Sequence, residues 1–275
     1  MSQTTLRGRF VWHELLTTDP QAAVKFYTQV IGWTTQPWEQ NPSYTLWVTE
    51  RGPVGGVMEL PPEAKAMSAP PHWLPYIGTP DLEATVDAAV RLGAKVLRPA
   101  AQIPGAGRFA VVADPQGAVF AAYTADSAME PSDTPQVGDF SWHELATTDG
   151  VAAFRFYEQL FGWVKTDAMD MGPSGVYQMF GWGGKSMGGV YTASKDRPAP
   201  PNWLSYIVVP DANQAVERVK RAGGKVLNGP MEVPGGDLIA TGLDPQGGSF
   251  AVHAVKPVAT TKAKASAGTA KAGSR

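Results

Sequence analysis

The chain has 275 residues, enough for two domains of ordinary size, each able to bury a core. Apolar residues make up 43% and charged residues 17%, a globular balance that excludes a disordered or fibrous chain. There is no cysteine, which excludes disulfides, thiolate nucleophiles and cysteine-held metals, and the net charge is only −2. That charge is unevenly spread. The last 20 residues, Lys256–Arg275, carry four Lys, one Arg and no acid, so the rest of the chain sums to −7 (−2 − 5). An acidic body argues against nucleic acid as a specific partner. No run approaches the roughly 18 apolar residues of a membrane span, and the N-terminus lacks the apolar stretch of a secretory leader. A soluble cytoplasmic protein with no membrane partner is expected.

In chain order, Arg9–Leu16 alternates bulky groups and reads as a strand. Thr18-Asp19 supplies an N-cap, and Pro20 takes the favoured first helical position. Ala22, Ala23, Phe26, Tyr27 and Val30 share one helical face, and Gly32 stops the helix. Three strand-like stretches follow, 33–38, 44–50 and 54–60. The Pro/Ala-rich stretch Pro61–Pro71 reads as a separator. A second cycle then has a strand over 72–79, a helix over 81–92 stopped by Gly93, and strands over 95–103, 108–113 and 118–124. Proline second and glycine fourth in Asp114-Pro-Gln-Gly117 mark a tight turn before the last strand.

The whole pattern then recurs. Phe10–Trp33 returns as Phe140–Trp163, 130 residues later, with 15 of 24 positions identical. Trp203-Leu204, Gly223 and Asp244–Gly247 keep the same offset. A period this long sets the architecture. Two repeats over 8–125 and 138–256 are expected, with a polar, proline-bearing linker over 126–137 and a disordered basic tail over 257–275. Each repeat holds two β-α-β-β-β modules whose strands connect mostly through short turns, so a doubly wound parallel sheet is excluded. The fold class is α+β: antiparallel-rich curved sheets with helices on the outer face.

These residues resemble the vicinal oxygen chelate superfamily, which includes glyoxalase I, the extradiol dioxygenases and the bleomycin-resistance proteins. The resemblance rests on Asp19, Phe26-Tyr27, Gly32-Trp33, the Gly-Ala-Lys-Val after the second helix and the Asp-Pro-Gln-Gly turn, which recur in the second half with Gly223-Gly-Lys-Val at the fourth of these. It covers nearly the whole chain, and the Trp-x-Glu-Leu openings are similar to the tandem glyoxalase-like proteins of actinobacteria that carry hydroxylase labels. It implies two glyoxalase-like domains, each a curved open barrel whose concave face holds ligand, joined as an internal pseudo-dimer. In metal-dependent members that face supplies His and Glu ligands. The matching positions here hold Trp12, Leu74 and Ala121, and in the second copy Trp142, Leu204 and Ala251. Glu59 matches the remaining position, but its counterpart is Thr192. No metal and no other cofactor is therefore expected.

His13-Glu14 and His143-Glu144 are the most chemically suggestive pairs, since imidazole and carboxylate together suit a transition metal. Neighbours on a strand point to opposite faces, however, so the two cannot ligate one ion in one cleft. The resemblance puts Trp12 and Glu14 on the concave face, with His13 beneath the helices. Glu14 and Glu144 are then ligand anchors or general bases, or else carboxylates that serve the seam between repeats. Trp12, Trp142, Tyr76 and Tyr206 are candidates to line apolar clefts, and Trp33 and Trp163 belong to the core. Arg108, on a loop at the cleft rim, reads as a ligand contact whose counterpart is Asp237. Gly55-Gly56 and Gly188-Gly189 lack a phosphate-loop context and read as a close backbone approach or bulge. No Ser-His-Asp arrangement can be assembled from the sequence. Three functions follow: binding of a small hydrophobic or aromatic molecule for sequestration, resistance or sensing; a glyoxalase, hydroxylase or dioxygenase using an unorthodox metal site or Glu14/Glu144 as base; or a protein whose clefts are filled by its own side chains.

Overall fold

The structure is a computed structural model that describes residues 6–127, 134–194 and 199–256. The basic tail over 257–275 and part of the 126–137 segment lie outside the described residues. The first half runs β1 (Phe10–Thr17), α1 (Pro20–Val30), β2 (Thr34–Trp38), β3 (Asn41–Thr49), β4 (Gly52–Glu59), α2 (Pro62–Ala66), β5 (His72–Gly78), α3 (Leu82–Arg91), β6 (Lys95–Ile103), β7 (Gly107–Ala113) and β8 (Val119–Ala125). The second runs β9 (Phe140–Thr147), α4 (Gly150–Phe161), β10 (Val164–Asp170), β11 (Val176–Trp182), β12 (Lys185–Thr192), β13 (Asn202–Val208), α5 (Ala212–Arg221), β14 (Lys225–Glu232), β15 (Leu238–Leu243) and β16 (Ser249–Ala254). Helix α2 corrects the sequence reading of Pro61–Pro71 as a plain separator. Pro62 begins it at a position where proline is tolerated, and five residues are too few for a periodic signal.

The four long helices start alike. Asp19, Asp81, Asp149 and Asp211 each accept a bond from a backbone N–H in the helix's first turn, at 2.8–3.1 Å. Each half forms one eight-stranded sheet, in the order β2-β3-β4-β1-β5-β8-β7-β6 and its repeat equivalent. Strand β1 runs parallel to β4 and antiparallel to β5, so two β-α-β-β-β modules join edge to edge along β1 and β5. The sheets are curved and open. One face carries the helices and the other forms a cleft.

The halves do not bury separate cores. Leu15, Phe26, Tyr27 and Trp33 share one cluster with Val216, Val219, Phe250 and Val252 of the second half. Leu145, Phe156, Tyr157 and Trp163 share the reciprocal cluster with Leu82, Ala110, Val112 and Phe120. The apolar stripe of each repeat's first helix is thus covered by the other repeat's second module. Polar bonds fix this exchange. Tyr157 donates to Asp114 at 3.0 Å, and Tyr27 donates to Asp244 at 3.1 Å. The free oxygen of Asp114 accepts from the N–H groups of Gln116, Gly117 and Ala118 at 2.8–2.9 Å, so one carboxylate shapes the turn and holds the other repeat. Trp33 donates to Gly138 O at 2.8 Å and Trp163 to Gly8 O at 2.7 Å, each reaching the backbone before the opposite first strand. Gly8 has φ +75°, and a Cβ there would sit 2.9 Å from the Trp163 indole nitrogen, so only glycine fits.

At the centre of the pseudo-twofold, His13 and His143 meet with their Nε2 atoms 2.7 Å apart. Phe140 stacks on His13 and Phe10 on His143, both with ring centroids 3.6 Å apart. His13 is thus an interface histidine. Burial, with the neighbouring His143, holds His13 well below the ordinary imidazole range; burial lowers His143 to about 3. A histidine depressed on folding binds fewer protons than its unfolded counterpart, so stability falls as pH drops below about 6.5, the unfolded value. A His143→Gln variant is expected to lose about 2 kcal/mol less stability between pH 7 and 5 than the parent, measured by urea denaturation at each pH. Equal losses would show that the pair does not titrate on unfolding.

Candidate functional site

On β1, His13 and Leu15 face the helices, so Trp12, Glu14 and Leu16 face the cleft. Pairing shifts register between Phe10 and Trp12, and again at the matching point of β9, so Val11 and Ser141 also turn toward the cleft side. Glu14 lies opposite Leu74 on β5 and Gly56 on β4. Tyr76 donates to Glu14 Oε2 at 3.1 Å. Tyr44, on β3, also bonds Glu14, and its hydroxyl accepts from the Trp12 indole at 2.9 Å. The Tyr44 ring lies over Gly56, where a Cβ would overlap it. The glycine pair therefore marks a close approach, by a tyrosine ring crossing the strand.

The second half repeats the cluster. Glu144 Oε2 accepts from Tyr177 at 3.1 Å and Tyr206 at 3.2 Å, and Trp142 donates to Tyr177 at 2.8 Å. A Cβ on Gly189 would overlap the Tyr177 ring. Burial raises both carboxyls; the phenol bonds oppose it, with Arg98 adding to the opposition at Glu14. Burial and the adjacent carboxylate push all four phenols up, so they remain donors at neutral pH. Each cluster is thus one carboxyl held by two phenols inside an aromatic wall, suited to bind a polar atom of an otherwise apolar ligand.

The structure brings together Trp12, Glu14 and Tyr76, and likewise Trp142, Glu144 and Tyr206. Neither glutamate bonds across the seam. Arg108 does not join them. Phe109 and Val111 occupy the cleft side of β7, so Arg108 turns to the helix side and pairs with Glu83 of α3 at 2.5 Å. Its counterpart is not Asp237 either: Arg108 pairs with Thr124 and Leu238 with Ala254, so Asp237 matches Gly107. The cation near Glu14 is Arg98, which lies over the Phe109 ring at 5.0 Å. Register shifts on either side of Arg98 hide its facing from a simple alternation count.

The residues around the glutamates do not fit the metal that the fold family implies. Gly56 and Leu74 stand opposite Glu14 and Ala121 opposite Tyr76, the two buried histidines lie on the opposite face, and exposed Glu59 pairs with Lys65 at 2.5 Å. Among the described residues, no group of three or more His, Cys, Asp or Glu side chains comes together.

The two clefts differ in how they are filled. In the first, Leu6, Leu16, Leu60, Phe109 and Tyr123 pack into one buried cluster with Leu74 and Tyr76. At the positions of Leu16, Leu60, Phe109 and Tyr123 the second half has Ala146, Ala193, Ile239 and His253. It also replaces Met58 by Tyr191, whose ring stacks on Tyr177 at 6.0 Å. Glu14 is buried whereas Glu144 is partly exposed, and Met231 and Leu227 near its edge are 43% and 52% exposed. The first cleft is filled by its own side chains, and the second has smaller residues at the positions of Leu16 and Leu60. The second also assembles Ser141, His253 and Asp237, which lie too far apart in sequence to be linked without the fold.

The comparisons agree with this architecture. A family model described as "Glyoxalase-like domain" matches residues 11–123, and one described as "Glyoxalase/Bleomycin resistance protein/Dioxygenase superfamily" matches 140–252. CFP32 of Mycobacterium tuberculosis (strain CDC 1551 / Oshkosh), provisionally named a glyoxylase, is 32% identical over 248 residues, covering 88% of this chain and 92% of its own. The anthracycline biosynthesis protein DnrV of Streptomyces peucetius is 30% identical over 260 residues, covering 89% and 92%. Among solved structures, the 2,3-dioxygenase LapB of Pseudomonas sp. KL28 shares the fold at TM-score 0.63 and 11% identity, covering 90% of this chain and 93% of its own. The Mn(II)-bound glyoxalase of Novosphingobium aromaticivorans does so at 0.59 and 14%, covering 90% and 82%. The chain belongs to the glyoxalase/bleomycin resistance protein/dioxygenase superfamily, as a tandem of two glyoxalase-like domains. Among the described residues, no helix is long and apolar enough to cross a membrane.

The raised carboxyls give a direct test. An infrared carbonyl band of protonated glutamic acid is expected to persist above about pH 4.3, the ordinary glutamate value. Glu14→Gln and Glu144→Gln should each remove part of it, and a band that vanishes at the ordinary pH would contradict the buried setting.

Proposed function

We propose that the second cleft binds a small, planar, largely apolar aromatic molecule without using a metal, for sequestration, resistance or sensing. The observation that carries this is the aromatic wall of Trp142, Tyr177, Tyr191 and Tyr206 around one protected carboxyl, in the half where alanines replace the plugs. Planar rings suit stacking on such a wall. The Glu144 carboxyl fixes one polar substituent of the ligand, as donor when protonated and acceptor when ionised. The relatives support the same ligand class, since DnrV and DauV are named for the biosynthesis of anthracyclines, which are fused-ring aromatic compounds. The acidic body favours a small molecule over nucleic acid as partner. A second reading, an enzyme with Glu144 as general base, draws on the raised carboxyl. It requires turnover of the bound molecule, whereas the binding reading requires its recovery unchanged.

Tryptophan fluorescence quenching against a panel of anthraquinones and naphthoquinones tests the proposal. Saturable binding is expected, weakened about tenfold by Glu144→Gln or Tyr206→Phe, the cost of one buried hydrogen bond. Silence across the panel would overturn it. Stoichiometric iron, nickel or zinc in protein purified without chelator would overturn its metal-free part.

A further inference from the structure

The positions that hold the fold are the same in both halves: the capping aspartates, Tyr27 and Tyr157, Asp114 and Asp244, Trp33 and Trp163, His13 and His143. A polar constellation present in one half only is not required by that frame. The second cleft contains one. Ser141 Oγ lies 2.8 Å from His253 Nδ1, and His253 Nε2 lies 2.9 Å from Asp237 Oδ2. The corresponding residues of the first half are Val11, Tyr123 and Gly107, none of which can form such a chain.

The three come from separate elements: Ser141 from the register shift in β9, His253 from β16, and Asp237 from the residue just before β15. Although burial pushes the Asp237 carboxyl up, bonds from the Lys256 N–H (2.8 Å) and from His253 hold it below the ordinary range. An ionised Asp237 accepts a hydrogen bond from Nε2–H, which favours the tautomer whose Nδ1 lone pair faces the serine hydroxyl. The Ser141 hydroxyl has Tyr206 O as a second acceptor at 3.3 Å, and the shorter 2.8 Å approach to His253 Nδ1 favours donation to the imidazole. The imidazole is 18% exposed at its side chain and Asp237 31%, so the chain is neither sealed in the core nor fully solvated. A base-activated hydroxyl oriented by a third group is the arrangement that nucleophilic catalysis uses, and either imidazole nitrogen can take the proton.

We propose that Ser141, His253 and Asp237 form a nucleophilic relay that makes the second cleft an acyl-transfer site for carboxylic esters of aromatic alcohols or acids. Ser141 Oγ bonds to the ester carbonyl carbon while its proton passes to His253 Nδ1. The tetrahedral adduct collapses, the ester C–O bond breaks, and the leaving alkoxide takes the proton from Nδ1. Water then attacks the acyl-serine with His253 again accepting and returning a proton, which releases the carboxylic acid and restores Ser141. Asp237 stabilises the imidazolium in both steps. The inference rests on the binding reading only for the aromatic character of the ester; the relay stands on its own geometry.

The test is covalent labelling of the full chain with a fluorophosphonate probe, read by intact mass and peptide mapping, beside hydrolysis of 4-nitrophenyl esters. One label per chain on Ser141 is expected, absent in Ser141→Ala and slowed about 100-fold or more in His253→Gln, the scale of a lost general base. Circular dichroism identifies variants that keep the fold; if His253→Gln does not, Asp237→Asn serves in its place with the same expectation of slower labelling. No label on the wild type, a label elsewhere, or an unchanged rate in a folded His253 or Asp237 variant would overturn the relay. Quinone binding is measured on the same wild-type sample. Binding without labelling sinks the relay alone, and labelling without binding sinks the ligand reading alone.

Discussion

The hydroxyl of Tyr157 on Asp114, and its mate of Tyr27 on Asp244, hold the molecule in its observed form. Each carboxylate has one oxygen committed to its own turn and the other to a helix of the opposite repeat. Breaking such a bond leaves a buried acceptor unpaired, at a cost of about 1–3 kcal/mol. It would also release the helix whose apolar stripe is covered by the other half. The seam is therefore the hydrophobic core itself, with the His13–His143 pair at its centre. Both first strands are pinned there on their helix side, which fixes the outward direction of Trp12, Glu14, Trp142 and Glu144.

Pseudo-symmetry divides the residues into two sets with different freedom. Those that bond across the halves must match in both copies, because a change on one side breaks a reciprocal contact. Around the shared carboxyl–phenol cluster, several cleft-face residues answer to no such partner, and these have diverged. The first cleft has collapsed onto Leu6, Leu60 and Phe109. The second keeps the same carboxyl–phenol cluster but surrounds it with alanines, a further tyrosine and the Ser141–His253–Asp237 chain.

Much of this was legible in the sequence. The 130-residue period gave two repeats, and the Asp caps and glycine stops gave the helices. Strand alternation alone separated His13 from Glu14. What the Phe-Tyr and Asp-Pro-Gln-Gly signatures do was not legible, because each meets its partner in the other repeat more than 40 or 200 residues away. Arg108 was misplaced for a local reason: alternation along β7 gives the cleft to Phe109, and only the strand register shows it. Tyr44 and Tyr177 became site residues through the glycines beneath them, a pairing that needs the β3–β4 ladder to be known. Ser141, His253 and Asp237 carry no motif spacing at all; two strands of one sheet and the turn before a third bring them together.

Equivalent frames carry clefts lined differently, and the proposed ligand site is in the second. Titrating an indole-¹⁵N-labelled sample with a planar quinone and following the tryptophan side-chain resonances tests it most directly. The Trp142 signal is expected to shift with saturation while the Trp12 signal stays in place. Movement of Trp12 instead, or of both to the same extent, would contradict the account.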